Sequence, residues 1–152
     1  MKAIVIYYSH KGRTANYARE IAMYLWSKGI SVSLCSVSDF DRNKAKEADL
    51  LLTGCWTCGW FIINQHPHEQ WKSLAKTISG IFPIEKTLFF TTYKIRTGSM
   101  FRNMKHAMNI PASTRVHRLQ SRTGKLSEHD RELLNLFINK GGFYQFHFLF
   151  LA

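Results

Sequence analysis

Apolar positions along the chain follow two alternating periods. "KAIVIYY" (2–8) is a continuous β-branched and aromatic run, the pattern of a strand buried on both faces of a parallel sheet. Ala18, Ile21, Ala22 and Leu25 then recur at helical spacing, which predicts a helix from about Gly12 to Lys28, with Gly29 as its stop. "SVSLCSV" (31–37) alternates like a strand, and "ADLLLTG" (48–54) is a second buried run. Pro67 suits the first turn of a helix that presents Trp71, Leu74, Ala75 and Ile78 on one face and ends at Gly80. "KTLFFTT" (86–92) reads as a strand, and Phe101, Met104 and Met108 place a helix within 98–109. "TRVHRLQ" (114–120) is a weaker fifth strand. Ser127 with Asp130 resembles a capping box ahead of Leu133, Leu134 and Phe137, and Gly141 ends that helix.

Strand and helix thus alternate about five times, which predicts an α/β three-layer sandwich around a five-stranded parallel sheet. A chain of 152 residues is long enough to bury one such core. Residues 1–140 are expected to form this domain, followed by an apolar tail at 141–152. In an open parallel sheet, ligands bind beyond the carboxyl ends of the strands, where strand order reverses. The loops at 9–14, 54–66 and 91–98 leave those ends.

Composition narrows the setting. No apolar run approaches the ~20 residues of a membrane span, so no span is expected. "MKAIVIYYSHKG" lacks a small-residue cleavage pattern and reads as a first strand rather than a signal peptide. Three cysteines give no disulfide framework, which points to a cytoplasmic protein. Lys and Arg number 21 against 10 acidic residues, a formal charge of +11 that favours acidic partners. With no nucleic-acid motif and no basic run of five or more, a specific nucleic-acid partner is not expected.

The first loop carries the clearest chemistry. In "YSHKGRT" (8–14), Ser9 and Thr14 supply hydroxyls and Gly12 permits a tight turn. The helix that follows presents unpaired N–H groups and the positive end of its dipole. Ser9, His10, Lys11, Gly12, Arg13 and Thr14 together make an anion cradle suited to a terminal phosphate. Neither Gly-x-x-x-x-Gly-Lys nor Gly-x-Gly-x-x-Gly is present, which excludes the commonest nucleotide loops.

"GCWTCGW" (54–60) admits three readings. Cys55 and Cys58 form a Cys-x-x-Cys pair after a strand, as in thioredoxin-like redox sites. With His66 and His68 they could instead bind zinc, although the spacing differs from the usual finger. Alternatively Trp56 and Trp60, with Thr57 and Gly59, could wrap a flat cofactor. The third loop, "TTYKIRTGSM" (91–100), offers hydroxyls and backbone N–H groups at Thr91, Thr92 and Tyr93, and Gly98 permits close approach.

"YSHKGRT" resembles the Ser/Thr-x-Thr-Gly-x-Thr phosphate loop of the flavodoxin family, with Lys11 in place of the middle threonine. Gly54, Cys55, Thr57 and Gly59 match the family's Gly-Cys-x-Thr-x-Gly loop after the third strand. Cys58 stands where the family commonly stacks an aromatic ring, and Trp56 and Trp60 flank it. The resemblance covers roughly residues 1–140. It implies strand order 2-1-3-4-5, FMN as cofactor, and electron transfer with the flavin as redox centre and no catalytic side chain. Lys94 and Arg96 replace the acidic residues many flavodoxins carry in the third loop, so a redox partner protein with an acidic docking face is expected. Two alternatives remain: an FMN-dependent NAD(P)H:quinone or metabolite reductase of the same fold, and a flavin-free binding module with a basic surface. The tail, "GGFYQFHFLFLA", does not fit the family and suits an edge strand, a homodimer contact or core cover.

Overall fold

Successive residues of the central strands turn to opposite sides, and the two sides bury different helices. A computed structural model describes residues 1–60 and 63–139, with Trp60 at the backbone alone. The expected tail at 141–152 lies outside the described residues. Among the described residues, five parallel strands form the main sheet: β1 (Lys2–Tyr8), β2 (Ser31–Ser36), β3 (Leu50–Trp56), and further along the chain β6 (Thr87–Thr92) and β7 (His117–Ser121). Between β3 and β6 the chain makes an antiparallel hairpin, β4 (Cys58–Trp60) and β5 (Ile63–His66). The sheet order is β2-β1-β3-β6-β7. The expected order 2-1-3-4-5 is therefore corrected to 2-1-3-6-7, because hairpin strands this short carry no hydrophobic period of their own.

Among the described residues, five α-helices cover the sheet: α1 (Arg13–Ser27), α2 (Arg42–Glu47), α3 (Glu69–Ile78), α4 (Met100–Ala107) and α5 (Glu128–Ile138). Ala3 and Val5 of β1, Leu50 and Leu52 of β3, and Leu88 and Phe90 of β6 pack with α1 and α5. Ile4, Ile6, Leu51 and Phe89 pack on the other side against Trp71 and Ile78 of α3 and Phe101 and Met104 of α4. This two-sided burial explains why β1 and β6 read as continuous apolar runs. Each large side chain so buried contributes on the order of 1.5–3 kcal/mol. Trp71 also satisfies its polar tip, its Nε1–H donating to Thr53 Oγ1 at 2.8 Å.

Helix boundaries follow local chemistry. Gly29 has φ 83°, and the N–H groups of Gly29 and Ile30 bond to the carbonyls of Trp26 and Leu25, a Schellman stop. Ser127 and Asp130 form the expected capping box of α5. Pro67 is not in the first turn of α3. His68 is the N-cap, its Nδ1 accepting from the Gln70 N–H at 3.1 Å, so Pro67 precedes the cap. The helix α2 was not expected: of its residues only Ala45 is buried, so it has no apolar stripe. Among the described residues no helix is long and apolar enough to cross a membrane.

Candidate functional site

Because the sheet is parallel, the chain leaves β1, β3 and β6 at the same edge. A cleft of about 460 Å³ opens there, within the ~300–1,000 Å³ typical of small-molecule sites. It is lined by His10, Lys11, Arg13 and Thr14 from the first loop, and by Trp56, Thr57, Cys58 and Gly59 after β3. Thr92, Tyr93, Lys94, Ile95 and Arg96 after β6 complete it with Gln65 of the hairpin. Among the described residues, four cations and no carboxylate line this cleft.

At the first loop, Ser9 rather than a residue adjacent to the helix does the capping. Its Oγ accepts from the N–H of Gly12 at 3.1 Å and of Ala15 at 3.2 Å, and Gly12 takes φ 88° to make the turn. The N–H groups of Arg13 and Thr14, in the first turn of α1, have no acceptor among the described residues. Helix starts with spare donors and a dipole of this sign attract anions. Thr14 is buried, and its Oγ1 lies 2.7 Å from Thr92 Oγ1, tying the helix start to the end of β6. Behind it the Tyr17 hydroxyl donates to Asp130 Oδ2 at 2.9 Å, and Asn16 donates to the Gly124 carbonyl. Burial, reinforced by the Asp130 charge, pushes the Tyr17 phenol far up, so it stays a donor.

The floor is a run of threonines. Thr91 Oγ1 donates to the Cys55 carbonyl at 2.6 Å, so it accepts from the Thr57 hydroxyl 2.8 Å away. The Thr57 N–H donates to the Thr92 carbonyl at 2.8 Å, which holds the turn after β3 onto β6. The half-buried Trp56 indole forms the apolar wall, 5.1 Å between centroids from the His10 ring and 6.0 Å from that of His68. Its Nε1 is buried without an acceptor among the described residues.

Of the residues expected from the sequence, His10, Lys11, Arg13, Thr14, Trp56, Thr57, Cys58, Gly59, Thr92 and Tyr93 meet in this cleft. Ser9 and Gly12 shape it from behind through the capping bonds. Cys55 and Thr91 are fully buried beneath it, because β3 runs on through Trp56 rather than ending at Gly54. Gly98 has φ 51° and lies against the Gln65 side chain, so it supports the wall instead of lining it. Trp60 belongs to β4, and its side chain is outside the described residues. Lys94 and Arg96, expected as nearby charges, line the cleft itself. Gln65 and Ile95 were not anticipated. Gln65 is buried, and its carbonyl accepts from Ser99 Oγ at 2.9 Å and Asn103 Nδ2 at 2.7 Å, both distant in sequence.

The competing readings of the second loop meet the same geometry. Cys55 lies in β3 and Cys58 in β4, so neither stands at a helix start as a thioredoxin-like pair would. Among the described residues no group of three or more His, Cys, Asp or Glu is arranged to hold a metal ion. The ring of His68 is instead stacked on Tyr8, 4.5 Å between centroids, and caps α3. Burial pushes the Cys55 thiol far up, whereas the donor Cys55 at its side, helped by Lys72, lowers that of Cys58.

Comparisons with known proteins bear on this arrangement. No family model matches the chain. Over 106 residues it is 26% identical to a flavodoxin of Clostridium beijerinckii, covering 69% of this chain and 74% of that protein. Its fold superposes on a flavodoxin from the domain Archaea with a TM-score of 0.64 at 23% identity, covering 91% of this chain and 95% of the other. It also superposes on the two-electron reduced Megasphaera elsdenii flavodoxin with a TM-score of 0.66 at 19% identity, covering 86% and 94%. The chain resembles flavodoxins in sequence over that span and has a flavodoxin-like fold.

Proposed function

We propose that the chain binds FMN in this cleft and works as a carrier of electrons between partner proteins. The observation that carries the reading is the joining, in one cleft, of an anion-ready helix start at 9–14 with the flat apolar wall of Trp56. The residues suit the cofactor's two ends. The Arg13 and Thr14 N–H groups and the charges of Lys11 and Arg13 would hold the phosphate. Trp56 would cover the ring system, its buried Nε1 offering a donor toward it, while the Thr57 hydroxyl, whose proton goes to Thr91, offers an acceptor. FMN supplies the redox chemistry when bound, and the protein sets its orientation and electrostatics.

Lys94 and Arg96 decide the electrostatics. They line the cleft with Lys11 and Arg13, and no carboxylate among the described residues lines it, so the site favours the more negatively charged, reduced cofactor. The same positive rim suits an acidic face on the partner, brought in by steering that salt weakens. The purified protein is expected to show the visible spectrum of an oxidised flavin, or to acquire it on addition of FMN. The Lys94→Glu variant is expected to have a more negative reduction potential; an unchanged or raised potential contradicts this electrostatic reading. Steady oxidation of NAD(P)H with quinone by the isolated protein would replace the carrier with a reductase.

A further inference from the structure

The proposed function makes no use of the thiols of Cys55 and Cys58. Cys58 lies on the cleft wall, 8% exposed, and Cys55 is fully buried behind it. The chain turns at Thr57 between β3 and β4, and the two thiols, three residues apart across that turn, perturb each other's ionisation, while Cys58 Sγ lies 3.9 Å from the Trp56 carbonyl oxygen. The His68 N–H reaches Cys55 Sγ at 3.4 Å. Lys72 places a positive charge near Cys58, partly offset by Glu69, with which it is paired at 3.1 Å. One cysteine thus lines the cavity while the other is fully buried. Neither is joined in a disulfide, nor is Cys35, which stands apart on β2.

We propose that Cys58 and Cys55 form a redox-active dithiol that reduces small, acidic disulfides entering the cation-lined cleft, with Cys58 as the attacking and Cys55 as the resolving thiol. The Cys58 thiolate attacks one sulfur of the disulfide, forms a mixed disulfide and releases the other half, which takes up a proton as a thiol. Cys55 then gives up its proton, and its sulfur attacks Cys58 Sγ, expelling the second half as a thiol. Two cysteine thiols are oxidised to one intramolecular disulfide, and the external disulfide is reduced to two thiols. The lowered Cys58 thiol supplies the thiolate such attack needs, while the buried Cys55 stays protonated until a mixed disulfide forms beside it. Lys11, Arg13, Lys94 and Arg96 line the same cleft and favour a disulfide that carries carboxylates. This chemistry does not depend on FMN, although a ligand in the cleft would shield Cys58.

The test is thiol counting and mass spectrometry after exposure to glutathione disulfide, on the protein as purified and again after any bound flavin is stripped. In at least one of these states two of the three thiols should disappear, with the disulfide mapping to Cys55 and Cys58. The Cys55→Ser variant, or Cys55→Ala should serine destabilise the core, should trap one glutathione on Cys58. At low salt, glutathione disulfide should react several-fold faster than the cationic disulfide cystamine. Three titratable thiols in both states, adducts confined to Cys35, or a faster reaction with cystamine would overturn the proposal. Because the readout is a sulfur count, its failure leaves the flavin reading untouched, and colourless protein with an active dithiol would separate the two in the other direction.

Discussion

The 9–14 wall of the cleft and the 57–66 wall rise from neighbouring strands, yet they are built differently. The first is held at both ranges: Ser9 caps the helix that follows it and Gly12 makes the turn, while Thr14, Asn16 and Tyr17 bond into the body of the protein. The second is tied to β6 only at its start, through Thr57; beyond that it is a two-stranded hairpin outside the main sheet, kept in place by Ser99 and Asn103 reaching the Gln65 carbonyl, with Gly59 and Gly98 yielding space. A wall fixed by its own sequence and the core is preformed; a wall fixed by a few remote bonds can adjust to what it covers. The phosphate end of a ligand would therefore meet a rigid site, and its ring end an adaptable one.

Substitutions can break this contrast. Gly59 has φ 130°, and a Cβ there would stand 2.6 Å from the Asn64 carbonyl oxygen. Gly59→Ala is expected to cost on the order of 3 kcal/mol. Hydrogen exchange should show that loss confined to the hairpin, with flavin affinity falling and the sheet still protected. Thr14→Val leaves the buried Thr92 hydroxyl without its partner and should cost about 2 kcal/mol. Here urea unfolding should register the loss globally, and a purely local effect would show that this wall is not pinned to the core. Asn103→Ala removes one bond to Gln65 and should cost about 1 kcal/mol, again felt in the hairpin alone.

A gentler probe uses pH. The Cys58 thiol is lowered and the Cys35 thiol raised, the latter by burial. Only thiolates alkylate readily, so Cys58 should begin to react at lower pH than Cys35 as the pH is raised. Peptide mapping after iodoacetamide treatment in the flavin-free protein checks this order, and the reverse order would remove the distinction between the two sites.

The same contrast explains what was legible in the sequence. The Gly29 stop, the Ser127–Asp130 box and the first loop were readable because each works within a few residues. The buried strands were readable because two-sided burial leaves long apolar runs, although β3 extends two residues further than its apolar stretch and takes Cys55 out of the loop. The hairpin left no such trace. Its strands are too short to show a period, and Gln65 is an ordinary polar residue whose role comes from Ser99 and Asn103, more than thirty positions away. Pro67 misled for a similar reason: His68, held by its ring against Tyr8, took over the cap.

The central claim is that the first loop grips a phosphate as the anchor of a flavin. Titration of the flavin-free protein with FMN and with riboflavin, which lacks the phosphate, tests it most directly through quenching of flavin fluorescence. Charge-assisted hydrogen bonds from Arg13, Thr14 and Lys11 should make FMN bind at least about tenfold more tightly, the ~1.4 kcal/mol that a single such bond can supply. Inorganic phosphate should weaken FMN binding and leave riboflavin unaffected. Equal affinity for the two flavins, or no binding of either, would contradict the account.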